Sequence, residues 1–249
     1  FKHFAYSNPD APKGSEIRLG EMGTYDNYNA IIEKGRLGAG HAVAGGLVYD
    51  SLLEPAIDEP DSRYGRLASG VAIADDRSWL AFRLREGAYW HDEVPITAAD
   101  VVFTFESILE HGSVALRTAL RSVRSVVALN DREVCFTIRQ DVESNPILPF
   151  TIGGINILPQ HYWQSRDITK TTIEPPLGSG PYRLVEADIG RILRYERVEH
   201  YWGRDIPVNR GRYNFDRIKY DYFKDETVMG EAHKSHVLDV REEGVSKNW

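Results

Sequence analysis

From Ser78 to Leu84 the chain alternates, with Leu80, Phe82 and Leu84 on one side and Trp79, Ala81 and Arg83 on the other. That two-residue period is the mark of a half-buried strand. Past Thr97 the period changes: Val101, Phe105 and Ile108, with Val102 and Leu109 beside them, form a broad apolar stripe at helical spacing. Thr97 is placed to cap this helix, and Asp100 to answer it from the first turn, where a negative charge suits the helix dipole. The same reasoning predicts strands over 16–21, 132–139, 182–188, 191–197 and 216–223, the last with Ile218, Tyr220 and Tyr222 alternating, and a second helix near 114–123. A Gly-rich segment, 35–46, precedes the apolar run 47–54. Neither repeats nor low-complexity tracts interrupt the pattern. The fold class read from it is α/β, a mixed sheet with helices. Residues 1–54 and 177–249 form one sheet-containing part, and 55–176 an inserted α/β subdomain.

Composition narrows the function classes. With 249 residues, 42% hydrophobic and 27% charged, the chain can bury a substantial core. A net charge of -7 without a dense Lys/Arg cluster argues against nucleic acid. No apolar run approaches the roughly 20 residues of a membrane span. No secretory signal is recognisable and the first residue is Phe1, so the chain reads as processed or trimmed at its start. The single cysteine, Cys135, excludes an internal disulfide and reads as a small strand residue, for no base is spaced to activate it.

Catalytic and metal readings find little support. Gly38-Ala39-Gly40-His41-Ala42-Val43 begins like a dinucleotide fingerprint, but its sixth position is Val43, and Ile31-Ile32-Glu33-Lys34 before it reads as a helix end rather than a strand. Gly178-Ser179-Gly180 precedes proline, which removes an amide that a phosphate cradle would use, and reads as a turn. His233 and His236, with Glu231 nearby, could share a helical face, yet no second cluster completes a four-ligand shell. No paired acids can be assigned to glycoside hydrolysis. The expectation is no catalytic residue, no metal and no cofactor.

Several segments carry a resemblance. The block Arg83-Leu84-Arg85-Glu86-Gly87-Ala88-Tyr89-Trp90-His91-Asp92-Glu93-Val94-Pro95-Ile96-Thr97, the turn Gly178-Ser179-Gly180-Pro181-Tyr182 and the run Tyr195-Glu196-Arg197-Val198-Glu199-His200-Tyr201-Trp202-Gly203 resemble the family 5 extracellular solute-binding proteins. These are the receptors of ABC importers for oligopeptides, dipeptides, nickel chelates and related ligands. Asn8-Pro9-Asp10-Ala11-Pro12-Lys13-Gly14 and Pro207-Val208-Asn209-Arg210-Gly211-Arg212-Tyr213-Asn214-Phe215-Asp216 are similar to the branch serving the Yej-type importer of peptides and microcin C. Glu93 departs from the pattern, which usually has Gly there.

The resemblance implies a periplasmic-binding-protein type II-like lobe, periplasmic or at the cell surface, that captures peptides or peptide-like compounds for ABC importer permease subunits. Family members continue into a second lobe that this chain lacks. It would therefore be a fragment, a processed product or a natural short form, and its partners would include the missing C-terminal part of the receptor or a second copy. The alternative function is an interaction or assembly module. Carried over, the family's cleft loop, before a helix holding Leu47 to Leu53, makes Leu37, Gly38, Ala39, Gly40 and His41 ligand contacts. Tyr25 would add an aromatic wall. A second cleft loop would bring Thr151, Gly153, Gly154 and Ile155, and the crossover hinge Arg241 and Glu242. Glycines here would leave the main chain open to a peptide. Val at Gly38 or Gly40 is then expected to crowd the ligand while leaving stability nearly unchanged.

Overall fold

The computed structural model describes residues 1–142 and 145–241. Along the chain run β1 (Glu16–Met22), β2 (Leu53–Pro55), β3 (Arg63–Gly65), β4 (Ala68–Ile73), β5 (Trp79–Leu84), α1 (Ala98–His111), α2 (Val114–Ala119), β6 (Val123–Asn130), β7 (Glu133–Ile138), α3 (Leu148–Gly154), α4 (Gln160–Trp163), β8 (Tyr182–Asp188), β9 (Ile192–Arg197), β10 (Arg217–Phe223) and α5 (Glu226–Lys234). Three sheets form, in the orders β1-β10-β9-β8, β2-β3 and β4-β5-β7-β6. In the first, β1 runs parallel to β10 while the other neighbours are antiparallel. The third is antiparallel throughout.

The predicted alternation in β5 is real: Leu80, Phe82 and Leu84 are buried, and Phe82 and Phe136 of β7 meet edge to face beneath α1. Helix α1 begins where Thr97 puts it. The Asp100 carboxylate accepts from the Thr97 backbone N–H at 2.8 Å and, through its other oxygen, from the Gln160 N–H at 2.9 Å. Thr104 Oγ1 donates to the Asp100 carbonyl and accepts from the Leu158 N–H at 2.9 Å. One turn of α1 thus fixes the chain that emerges from α3. Glu93 lies at φ +70, a left-handed conformation that explains why a glycine would suit this turn.

Three expectations fail locally. The predicted second helix ends at Ala119, and β6 takes over at Val123, where Val123, Val126 and Val127 favour a pleated surface. Residues 47–52 are not helical. Their carbonyls are taken by another segment, Leu47 O accepting from Tyr182 N–H and Val48 O from the N–H groups of Ser179 and Gly180. Residues 31–34 are bends rather than a helix end. Among the described residues no helix is long and apolar enough to cross a membrane.

Candidate functional site

The Gly-rich segment rests on an aromatic platform. Tyr195 of β9 and Tyr222 of β10 both reach Ala39: the Tyr195 hydroxyl donates to the Ala39 carbonyl, and the Tyr222 hydroxyl accepts from the Ala39 N–H at 2.8 Å. The Tyr195 oxygen also lies 2.7 Å from His41 Nδ1. A hydroxyl has one proton to give. With it directed to Ala39, the phenol oxygen accepts from Nδ1–H, and His41 Nε2 keeps the bare lone pair; Nε2 is buried with no hydrogen-bond partner. Tyr28 stacks on the imidazole with ring centroids 4.6 Å apart. Burial in this apolar surround pushes the His41 pKa down to about 4, against smaller opposing effects of the Ala39 and Gly38 backbone.

Of the residues expected to touch ligand, the structure brings the two loops together and separates the rest. Leu37 is exposed, Ala39 and Gly40 are half-buried, and Gly38 and His41 are buried. The most open stretch lies just beyond them, at Ala42, Ala44, Gly45 and Gly46. It is stitched to the second predicted loop by Asn156, whose Nδ2 donates to the carbonyls of Ala42 at 2.9 Å and Gly45 at 2.6 Å and whose N–H donates to Val43 O at 2.9 Å. Ala44 and Ile155 form an isolated antiparallel bridge. Sequence reasoning missed Asn156 as the clamp, and nothing in its local pattern distinguishes it from a turn residue.

Four placements correct the expectations. Thr151, Gly153 and Gly154 belong to the last turn of α3 rather than to a loop, and Gly153 is packed so closely that an added Cβ would sit 2.4 Å from Leu53 Cδ1. Gly154 faces open space. Tyr25 is fully buried, with its hydroxyl given to Ile192 O at 3.0 Å, so it supports the platform from below instead of walling a cleft. Val at 38 or 40 would not spare stability: a Cβ on Gly38 meets Leu193 at 2.9 Å, and Gly40 sits at φ +86 against Tyr195. Arg241 is placed against α5, where a Cβ on Gly230 would lie 3.1 Å from its Nη1, and Glu242 lies outside the described residues.

Metal chemistry gains nothing from the fold. His233 is in α5, but His236 follows the helix at φ +58, so the two do not share a helical face. Among the described residues no group of three or more His, Cys, Asp or Glu side chains is placed to hold a metal ion. Burial pushes the Cys135 thiol up, away from the reactive thiolate.

A second polar centre was not foreseen. Asp50, fully buried, accepts from the Tyr201 hydroxyl at 2.7 Å and from Trp202 Nε1 at 2.9 Å, and its Oδ1 lies 2.7 Å from Arg66 Nε. Arg66 also pairs with Glu54 at 2.8 Å and donates to the Tyr213 hydroxyl, and Arg212 pairs with Glu54 at 2.6 Å. Burial alone would lower the Arg66 pKa; the surrounding Tyr213, Tyr201, Asp50 and Glu54 more than offset it and hold the guanidinium charged. This centre ties β2 and the residue after β3 to the connection that precedes β10.

Comparison with known proteins assigns the family. Residues 63–249 match the model of the bacterial extracellular solute-binding proteins, family 5 (middle), and the chain belongs to that family. It is 41% identical over 256 residues to y4wM of Sinorhizobium fredii, covering 100% of this chain and 38% of that protein. It is 39% identical over 256 residues to YejA of Agrobacterium fabrum, named a probable peptide-binding protein, covering 100% of this chain and 41% of that protein. The crystal structure of the ABC transporter substrate-binding protein CtaP from Listeria monocytogenes superposes with a TM-score of 0.72 at 26% identity, over 91% of this chain and 44% of that one. The chain thus spans about two fifths of the length of these relatives, and the fold is that of one lobe of a solute-binding protein. The family and the relatives YejA of Agrobacterium fabrum and CtaP are named as binding proteins, not enzymes.

Proposed function

We propose that this chain forms one face of the ligand cleft of an ABC importer's solute-binding protein, outside the cytoplasmic membrane, and that the ligand is a peptide or peptide-like compound. The observation that carries the reading is the identity of 39% along the whole chain to a probable peptide-binding YejA. The site supports it: Ala42, Ala44, Gly45 and Gly46 are exposed residues with glycines at the tip of the segment, which is held in place by Asn156 and by the aromatic platform. Such a surface suits a receptor that grips its ligand by backbone hydrogen bonds. The second face and the permease would be supplied by other polypeptide segments, and closure of the two faces would select the bound form.

Gly154 offers a test because a Cβ added there meets no atom within 4 Å and its backbone needs no left-handed conformation. Gly154→Trp should weaken binding of short peptides, measured by calorimetry on the full receptor with peptides first recovered from the purified protein, by at least about tenfold. Its melting temperature should stay at the parent's value. Equal affinity in both proteins would remove this surface from the ligand site.

A further inference from the structure

The two segments that sequence set apart at 8–14 and 207–216 meet at one cavity of ≈ 440 Å³. It lies at the other end of the first sheet from the Gly-rich segment. Leu193, beneath Gly38, and Arg197, in the cavity wall, are four residues apart on β9, about 13 Å along a strand. The cavity is built by close backbone approach: Gly211 sits at φ +79 against Asn8, and a Cβ there would come within 2.5 Å of the Asn8 carbonyl oxygen. Gly14 N–H donates to Asn214 O at 2.9 Å and ties the same two segments a second time.

Its wall is richer in cations than in anions. Arg197, Arg204 and Arg212 are paired, with Asp216, Asp205 and Glu54 respectively. Lys13 and Arg210 are held by neutral acceptors instead. The Lys13 ammonium donates to Arg212 O at 2.5 Å and Asn214 Oδ1 at 2.6 Å, and Arg210 Nε donates to Asp205 O at 3.1 Å. Glu199 is the lining carboxylate left to oppose them. Desolvation, and then the charge of Arg197, push the Lys13 pKa down. Arg197 Nε is itself buried with no hydrogen-bond partner. An anion entering here would neutralise Lys13 and Arg210 and meet N–H donors already held in place.

We propose that this cavity is an anion-binding subsite, separate from the peptide-facing loop, that takes a carboxylate or phosphate group between Lys13, Arg210 and Arg197. The probes are sodium phosphate and sodium citrate, added to the purified protein at constant ionic strength against sodium chloride, with melting temperature and calorimetric affinity as readouts. At least one of the two should raise the midpoint beyond the chloride control. The double variant Lys13→Met/Arg210→Met should then cut the affinity by at least about tenfold. Lys13 also braces the backbone of Arg212, so Arg210→Met alone, on an exposed side chain, serves as the second variant and should weaken binding while keeping the parent's midpoint in chloride. A response to phosphate alone assigns a phosphoryl group, and to citrate alone a carboxylate. No shift with either anion, or equal affinity in the parent and both variants, would overturn the proposal.

Discussion

The surroundings of His41 hold its imidazole neutral. Tyr28 covers one face of the ring, Tyr195 holds Nδ1, and nothing answers Nε2, so the imidazolium has no carboxylate to offset its desolvation. The folded pKa of about 4 lies below the ordinary value of 6.5. The unfolded chain therefore binds the extra proton first, and stability is fully present above about pH 6.5 and is lost as pH falls toward 4. At ~1.4 kcal/mol per unit, the loss is on the order of 3 kcal/mol. Urea unfolding at pH 7.5 and pH 4.5 should show His41→Phe less pH-dependent than the parent by about that amount. Identical slopes in both proteins would mean that the imidazole is solvated in the fold. His41 and its neighbours were legible in the sequence as a Gly-rich segment, but not as a buried one. The reason is that the tyrosines closing over it beside Tyr28 come from β9 and β10, more than 150 positions away.

At the scale of elements, the buried ionic centre joins the β2-β3 sheet to the connection between β9 and β10. Asp50 precedes β2 and Glu54 lies in it, Arg66 follows β3, and Tyr201, Arg212 and Tyr213 come from the connection between β9 and β10. Asp50, Arg66 and Glu54 are all buried, so breaking one pair leaves a charge that water cannot reach. Arg66→Met should cost about 3–5 kcal/mol in urea unfolding, whereas Arg83→Met, which breaks an ion pair whose Arg83 side chain is 70% exposed, should cost less than about 1 kcal/mol. Comparable losses in the two variants would show that the buried centre does not brace these connections. Strand and helix positions with a strong period, such as β5, α1 and β7, were readable because one face of each is buried against a continuous core. Residues 47–52 were not, because an apolar run without periodicity fits a helix as well as an irregular segment. What decides between them is the distant turn at Ser179 and Gly180, which takes the Val48 carbonyl.

For the whole molecule, the arrangement of sheets leaves open whether the proposed division, 1–54 with 177–249 against 55–176, also divides the folding unit. The chain leaves β1 and returns to pair beside it only at β10, so the first sheet closes over everything between. Two connections argue for a single cooperative unit. One apolar core runs without a break from Tyr182, Leu193 and Tyr195 of the first sheet to Leu80, Phe82 and Phe136 of the third. The ionic centre also crosses the proposed boundary, since Arg66 lies inside 55–176 while Asp50, Glu54 and Tyr213 lie outside it. Parts that share a core this way lose each other's buried surface when either unfolds, which penalises any half-folded state. Scanning calorimetry should therefore show one transition, with the calorimetric and van't Hoff enthalpies agreeing. In Arg66→Met the same single peak should move to lower temperature without splitting. Two resolved peaks in the parent would show that the inserted part folds on its own, and that its contacts with the first sheet are only those of a docked neighbour.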